Sequence, residues 1–179
     1  TSTDAAGNLV SDTYNWTNAD GTGTATRSVD KLTGVLSGTV TITATSVTAP
    51  LVAGNKLVTV VPGALDHFTV TATPTTVISG TGYTVTNAIS ARDVNENLIT
   101  IDASVVTATI TNTVGVVTMT YYTAGDYLTP TPTYTLVNGL ATIYYKATRD
   151  ATVGDTFQIW IRKQTDTTKQ GVGPVITVN

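Results

Sequence analysis

The stretch Thr39-Val-Thr-Ile-Thr-Ala-Thr45 alternates polar and apolar side chains without interruption. Successive side chains of a β-strand point to opposite faces, so Val40, Ile42 and Ala44 share one face and the threonines share the other. Threonine suits a solvated strand face because β-branching favours the extended backbone while the hydroxyl stays hydrated. The stretch therefore predicts a strand with one dry face and one wet face.

Eight further stretches show similar alternation, and turn residues separate them. They are Lys56–Val61, Asp66–Ala72, Tyr83–Ala91, Val105–Thr111, Val116–Tyr122, Leu140–Lys146, Thr156–Arg162 and Val175–Val178. No stretch sustains a helical period. Composition agrees, because the 179 residues include 42 threonines and 23 valines but one glutamate, a balance that favours strands over helices. The sequence predicts an all-β protein built as sandwiches.

Charged and chemically reactive side chains are scarce in this sequence. Nine Lys and Arg against twelve Asp and Glu give a net charge of −3, with no basic stripe to neutralise nucleic acid or anionic lipid. One histidine, one glutamate and no cysteine leave few groups for acid–base, nucleophilic or zinc chemistry. We therefore expect no enzyme, no nucleic-acid partner and, because no apolar run approaches the roughly 18 to 20 residues of a spanning helix, no membrane insertion by this segment.

An internal repeat indicates two modules. Asp4-Ala-Ala-Gly-Asn-Leu-Val10 matches Asp93-Val-Asn-Glu-Asn-Leu-Ile99. Because Pro and Gly break the strand at Pro62-Gly63, we expect one module over residues 1–62 and a second over residues 63–179. Predicted strands precede the second copy of the motif, but only three residues precede the first copy. The first module is therefore expected to be an incomplete sandwich within this chain, closed by upstream residues or by another chain.

Three segments of the chain resemble a known family: Pro62–Val70, Ile89–Asn97 and Val137–Ala141. They are similar to tandem bacterial immunoglobulin-like (Big, invasin/intimin-like) repeats of cell-surface and S-layer proteins. The resemblance implies a non-catalytic, extracellular structural module of an S-layer, fibre or adhesin stalk, which contacts other protein subunits or neighbouring repeats. A glycan-binding or accessory module of a secreted enzyme or adhesin is the alternative.

The second module carries an elongated middle hairpin or loop that the first module lacks, and this segment is rich in tyrosine. Three interpretations of the tyrosines are open: cross-strand pairs that stabilise a hairpin, a protein interface, or a platform for sugar rings. We expect a contact with another protein subunit, and we expect the module to stay folded when residues 112–135 are shortened to a tight turn. The candidate partner-binding residues are Tyr121, Tyr122, Tyr127 and Tyr134.

Asp93, Asn95 and Asn97 place side-chain oxygens at alternate positions, as the opening of a calcium loop does. The later bidentate glutamate of such a loop is missing. Asp and Asn also build metal-free turns, because they accept backbone N–H bonds. We favour the structural turn, with calcium as the alternative and no other cofactor expected.

Two further positions have simple interpretations. Asn15-Trp16-Thr17 is an acceptor sequon, which makes Asn15 a candidate glycosylation site. His67 is expected to face solvent if Phe68 and Val70 face the core, because successive side chains of a strand point to opposite faces.

Overall fold

The computed structural model describes residues 2–3, 5–29, 31–49, 51–80, 82–122, 124–128, 130–147 and 151–179. These residues form seventeen β-strands and no α-helix, which confirms the prediction of an all-β protein. Over the same residues, no helix has the length and apolarity to cross a membrane. The chain divides into two compact units, unit 1 (Thr1–Pro62) and unit 2 (Gly63–Asn179).

Unit 1 consists of small antiparallel sheets. Its strands are β1 (Ser2–Thr3), β2 (Leu9–Val10), β3 (Tyr14–Asp20), β4 (Thr24–Ser28), β5 (Lys31–Leu36), β6 (Gly38–Ser46) and β7 (Ala53–Val60). Strand β6 lies between β3 and β7, while β4 pairs with β5 and β1 pairs with β2. Asp4, which opens the predicted first turn, lies outside the described residues.

The dry face of β6 is only partly covered. Val40 is fully buried, but Ile42 and Ala44 on the same face are half-buried. Among the described residues of unit 1, the buried hydrophobic side chains are Ala25 and Val40. Unit 1 is therefore an incomplete sandwich, as the sequence predicts.

Unit 2 is a sandwich of two sheets. Its strands are β8 (His67–Thr73), β9 (Thr76–Val77), β10 (Thr84–Arg92), β11 (Val105–Val114), β12 (Met119–Tyr122), β13 (Thr133–Thr135), β14 (Leu140–Ala147), β15 (Thr156–Lys163), β16 (Asp166–Val172) and β17 (Ile176–Val178). The first sheet has the order β12-β14-β10-β8, and the second has the order β13-β11-β15-β17-β9 with β16 also paired to β15. All pairs are antiparallel except β17 with β9, which is parallel.

The core of unit 2 lies between the inward faces of these sheets. Ile143 and Tyr145 of β14 are fully buried on one side, as are Phe157, Ile159 and Ile161 of β15 on the other. Burial of each such side chain contributes about 1.5–3 kcal/mol. Alternation along the strands therefore decides which side chains remain at the surface.

The segment expected to be a dispensable excursion is part of this sandwich. It supplies β12 and β13, which are outer strands of the two sheets. Val117 is fully buried, and the Asn112 side chain holds it: Oδ1 accepts from Val117 N at 3.0 Å and Nδ2 donates to Val117 O at 3.2 Å. This corrects the expectation that a tight turn can replace residues 112–135, because that change removes core side chains.

Candidate functional site

Strand alternation separates the tyrosines of unit 2 into an inner set and an outer set. Strand β12 pairs with β14 so that Tyr121 lies opposite Tyr145 and Tyr122 lies opposite Tyr144. Directly opposed residues share a face of the sheet. Because Tyr145 is fully buried, Tyr121 points inward with it, whereas Tyr122 and Tyr144 point to the outer face.

The inner set belongs to the hydrophobic core. Tyr121 packs against that core, with its ring centroid 6.1 Å from that of Tyr145, and burial raises the pKa of Tyr121 to about 12. Tyr134 is 7% exposed and its hydroxyl donates to Tyr122 O at 3.1 Å. Tyr121 and Tyr134 therefore differ from the expectation of contact residues, because their rings are engaged inside unit 2.

The outer set forms what we call the outer tyrosine cluster: Tyr122, Tyr127 and Tyr144. The ring centroids of Tyr122 and Tyr127 lie 5.4 Å apart, and those of Tyr127 and Tyr144 lie 6.4 Å apart, both edge to face. All three side chains are half-buried. Sequence reasoning missed Tyr144, although the alternation of β14 sets it on the face opposite Ile143 and Tyr145.

A shallow groove of about 580 Å³ adjoins the outer tyrosine cluster. It contains no charged residue and combines aromatic, aliphatic and hydroxyl groups. Its lining residues are Thr133, Tyr134, Thr135, Val137, Leu140, Ala141, Thr142 and Tyr144. Such a surface suits neutral, partly apolar ligands or a protein surface.

The predicted turn at Asp93 is closed by hydrogen bonds to its carboxylate. Asp93 is 2% exposed. Its Oδ1 accepts from the backbone N of Asn95 and of Asn97, each at 2.9 Å, and its Oδ2 accepts from Gly63 N at 2.7 Å. The side-chain amide of Asn97 donates to both oxygens, at 3.2 and 3.0 Å. This geometry is that of an Asx turn.

The same contacts decide the charge state of Asp93. Burial opposes ionisation, but the hydrogen bonds from Gly63, Asn97 and Asn95 together outweigh it and hold the pKa of Asp93 below its ordinary value. The carboxylate is therefore ionised and fully engaged with N–H donors. Calcium binding by Asp93, Asn95 and Asn97 stays the untested alternative, and Asn95 is exposed.

Two other predicted positions lie at the surface. Asn15 is exposed on β3, opposite Thr45 of β6. His67 is half-buried, while Phe68 and Val70 are 2% and 8% exposed in the core. The two His67 ring nitrogens lie near carboxylates, Nδ1 3.1 Å from Asp66 and Nε2 3.2 Å from Glu96.

Unit 1 has a groove of its own, of about 640 Å³, between β3, β6 and the β4–β5 hairpin. The rings of Tyr14 and Trp16 lie on it edge to face, with centroids 6.3 Å apart, and Trp16 is 47% exposed. The Tyr14 hydroxyl is buried and has no hydrogen-bond partner among the described residues. The remaining lining residues are Asn15, Arg27, Val29, Lys31, Leu32 and Ile42. We call this surface the unit 1 groove.

Several solved structures align with this chain. A β-glycosidase from Bacteroides vulgatus aligns at a TM-score of 0.51 and 10% identity over 83% of this chain, and a glycosyl hydrolase family 2 member from Bacteroides cellulosilyticus aligns at 0.52 and 10% over 83%. This chain spans 18% of the length of each of those two proteins. The Escherichia coli adhesin FdeC aligns at 0.46 and 16%, over 98% of this chain and 55% of its own.

No family model and no curated protein matches this sequence. At such low identities, the overlays with the two hydrolases show a common fold and nothing of activity. The chain has the immunoglobulin-like β-sandwich fold that occurs in bacterial proteins.

Proposed function

We propose that this chain is a non-catalytic structural module of an extracellular surface protein, such as an S-layer, fibre or adhesin stalk, and that it assembles through protein contacts. The observation that supports this most is the outer tyrosine cluster. Tyr122, Tyr127 and Tyr144 lie on the outer face of a sheet whose inward face already fills the core. Core packing does not require aromatic residues there, and partly exposed tyrosines are typical of interfaces.

The surface around the cluster also favours a protein partner. Outward residues of the neighbouring strand β10 include Thr84, Thr86 and Ser90, which are half-buried and uncharged. These three side chains lose little solvation on contact, and tyrosine adds contact area at a small cost in side-chain freedom. This face also carries a charged group, the exposed Lys146, opposite Thr84. We propose that the partners are other subunits or neighbouring repeats of the same protein, at the cell surface.

A second candidate function is glycan binding by an accessory module of a secreted enzyme or adhesin. The groove beside Tyr144 supports it, because threonine hydroxyls of Thr133, Thr135 and Thr142 lie next to an aromatic ring. Aromatic faces stack on sugar rings, and hydroxyls exchange hydrogen bonds with them. The chain's fold also occurs within enzymes described as glycosyl hydrolases.

The test is self-association of the 179-residue chain by sedimentation velocity over a wide concentration range. We expect concentration-dependent assembly that the double variant Tyr122→Ala/Tyr144→Ala weakens about tenfold or more. The matched control is Thr69→Ala/Thr71→Ala, which alters exposed outward residues of β8 at the other end of the same sheet and should leave assembly unchanged. Near-UV circular dichroism checks that both variants keep the unit 2 core.

The outcomes separate the two candidate functions. A chain that stays monomeric, and that binds neutral oligosaccharides through the same two tyrosines, would replace the assembly proposal with the glycan proposal. Assembly that is insensitive to Tyr122→Ala/Tyr144→Ala would overturn the role of the outer tyrosine cluster.

A further inference from the structure

In unit 1, two side chains of β3 hold the β4–β5 hairpin at one residue, Ala25. The Asn18 side-chain amide donates to the Ala25 carbonyl oxygen at 2.9 Å, and Asp20 Oδ1 accepts from the Ala25 backbone N at 3.2 Å. Both backbone polar groups of Ala25 are therefore engaged, and the residue is 7% exposed. These bonds fix the position of the hairpin along β3, and with it one wall of the unit 1 groove.

The fixed hairpin places an arginine at the groove. Arg27 follows Ala25 by two positions in β4, so both side chains lie on one face of the hairpin. Leu32 of β5 lies directly opposite Arg27, and both residues line the groove. Arg27 Nη1 donates to the carbonyl oxygen of Val29 at 2.6 Å. Val29 has a φ of 42°, a left-handed conformation that β-branched residues rarely adopt. The hairpin turn therefore orients the guanidinium, which keeps further N–H donors for a ligand.

The sheet supplies an aromatic surface to the same groove. Trp16 lies opposite Ala44 of β6, on the face that carries Val40 and Ile42. It is nevertheless 47% exposed, and the Tyr14 ring packs edge to face against it. An exposed indole that a neighbouring ring holds in place is a surface on which the apolar face of a sugar ring can stack.

The basic residues of unit 1 are concentrated at this groove. Arg27 and Lys31 line it, and they are two of the three basic residues in positions 1–62. Both are exposed, and neither forms an ion pair with a carboxylate of the described residues. No acidic residue is among the described lining residues; Asp30 lies outside the described part of the chain. Two such cations beside an aromatic surface favour a ligand that carries a carboxylate.

The geometry favours a small ligand over an added peptide strand. Because Asn18 and Asp20 bind the hairpin along the far edge of β3, a strand has no continuous ladder to extend there. The groove volume of about 640 Å³ falls within the range of about 300–1,000 Å³ that is typical of small-molecule sites.

We propose that the unit 1 groove binds an acidic oligosaccharide. One hexuronate ring stacks on Trp16, and its carboxylate accepts hydrogen bonds from Arg27 and Lys31. This inference goes beyond the proposed assembly function and does not depend on it, because it concerns another unit and another class of ligand.

The experiment titrates the intact 179-residue chain with linear tetragalacturonate at low ionic strength. Isothermal titration calorimetry should show saturable binding with a Kd at or below about 1 mM, and Trp16→Ala should weaken it about tenfold or more. The matched control is Leu57→Ala, an exposed apolar residue on the opposite face of the same sheet, which should leave the Kd within about twofold. In NMR spectra, the indole N–H signal of Trp16 should shift on titration, whereas that of Trp160 in unit 2 should not.

Charge variants test the carboxylate contact. Arg27→Gln/Lys31→Gln should weaken binding about tenfold or more and reduce its salt dependence. The matched control is Lys146→Gln/Arg162→Gln, which removes the same two charges from exposed positions of unit 2 and should leave the Kd within about twofold. Fully methyl-esterified tetragalacturonate keeps the sugar rings and loses the charges, so it should bind about tenfold more weakly or not at all. Circular dichroism checks that each variant is folded.

The outcomes that would overturn the proposal are specific. They are the absence of saturable tetragalacturonate binding, equal binding by the Trp16→Ala chain, and equal binding of the methyl ester. Binding of hexaglutamate in place of tetragalacturonate would make the groove a site for an acidic protein segment, and the oligosaccharide proposal would be wrong. Because calorimetry reads the unit 1 groove and sedimentation velocity reads the outer tyrosine cluster, either proposal can fail while the other stands.

Discussion

In unit 1 the central strand β6 fully buries one large side chain, Val40, whereas in unit 2 the central strand β14 fully buries Ile143 and Tyr145. Strand β6 alternates polar and apolar residues from Thr39 to Thr45, and the buried residues of β14 (Ile143, Tyr145 and Ala147) recur at alternate positions. They differ in what lies opposite: a second sheet covers β14, and the short β4–β5 hairpin lies beside β6. Alternation specifies a strand, but burial and therefore stability depend on the opposing layer.

The largest expected effect concerns the segment that only unit 2 has. Replacing residues 112–135 by a tight turn should unfold unit 2 and leave unit 1 unchanged. The change removes β12, β13 and the buried side chains of Val117 and Tyr134, each worth about 1.5–3 kcal/mol out of a total stability of about 5–15 kcal/mol. Near-UV circular dichroism and hydrogen exchange measure the outcome. A unit 2 that remains folded would show that the segment is an independent addition.

The next largest effect is expected from truncating single core side chains, which should destabilise unit 2 more than unit 1. Phe157→Ala, at a fully buried site, should destabilise unit 2 by about 3–5 kcal/mol. Ile42→Ala, at a half-buried site of unit 1, should cost about 1 kcal/mol. Urea unfolding followed by tryptophan fluorescence reports both units, since Trp16 belongs to unit 1 and Trp160 to unit 2. Equal costs at the two sites would mean that unit 1 has a better-covered core than its burial indicates.

The third prediction concerns the Asp93 turn of unit 2. Asp93→Ala should destabilise unit 2 by about 1–3 kcal/mol, since the N–H groups of Gly63, Asn95 and Asn97 lose their acceptor and the hydrogen bond from Asn97 is buried. Asp93→Asn keeps one oxygen acceptor and should cost less. Urea unfolding measures both variants, and a cost for alanine below about 0.5 kcal/mol would contradict the role of the carboxylate.

Low pH should reduce the stability of unit 2 by protonating the Asp93 carboxylate. The folded pKa of Asp93 lies below its ordinary value of 3.8, so its contribution to stability is complete above that pH and is lost as pH falls through the folded pKa. Asp93→Asn removes this part of the pH dependence. Urea midpoints of the two proteins between pH 7 and pH 2 give the comparison, and parallel profiles would exclude Asp93 as a source of acid sensitivity.

Calcium should have the smallest effect on either unit. We expect the melting temperature to shift by less than about 1 °C between chelator and 1 mM calcium, because the Asp93 oxygens already accept N–H bonds. A site with a dissociation constant of about 10⁻⁵ M would stabilise unit 2 by about 2.7 kcal/mol at that concentration. A shift of that size that disappears in Asp93→Ala would identify a calcium site.

Much of the strand content could be predicted because burial leaves an alternating pattern in the sequence. Residues 39–45 lie within β6, and residues 156–162 lie within β15. Strand β16 was not predicted, since Asp166-Thr-Thr-Lys-Gln-Gly-Val172 has no apolar alternation. Strand β3, with Asn and Asp among its aromatics, was missed for the same reason. Exposed strands form because a neighbouring strand offers backbone hydrogen bonds. Their own side chains need no apolar alternation, so the sequence does not reveal them.

The candidate site, like the strands, could be predicted only in part from the sequence. A cluster of tyrosines was visible, but their faces depend on register, and register depends on the partner strand. The pairing of β12 with β14 directs Tyr121 inward and Tyr122 outward. Tyr144 joins the outer tyrosine cluster from a distant part of the sequence, so no local pattern could link it to Tyr127.

The hydrogen bond from Gly63 N to the Asp93 carboxylate gives unit 2 a mechanical property. Gly63 is the first residue of the unit, and the bond ties it to a turn thirty positions further along. At the other end, β17 runs parallel to β9, and Asn179 N donates to Val77 O at 2.8 Å. Pulling along the polypeptide therefore loads a buried ionic hydrogen bond at one end and a sheared ladder at the other. We therefore expect unit 2 to resist tension, because several bonds at its two ends must break together instead of one by one.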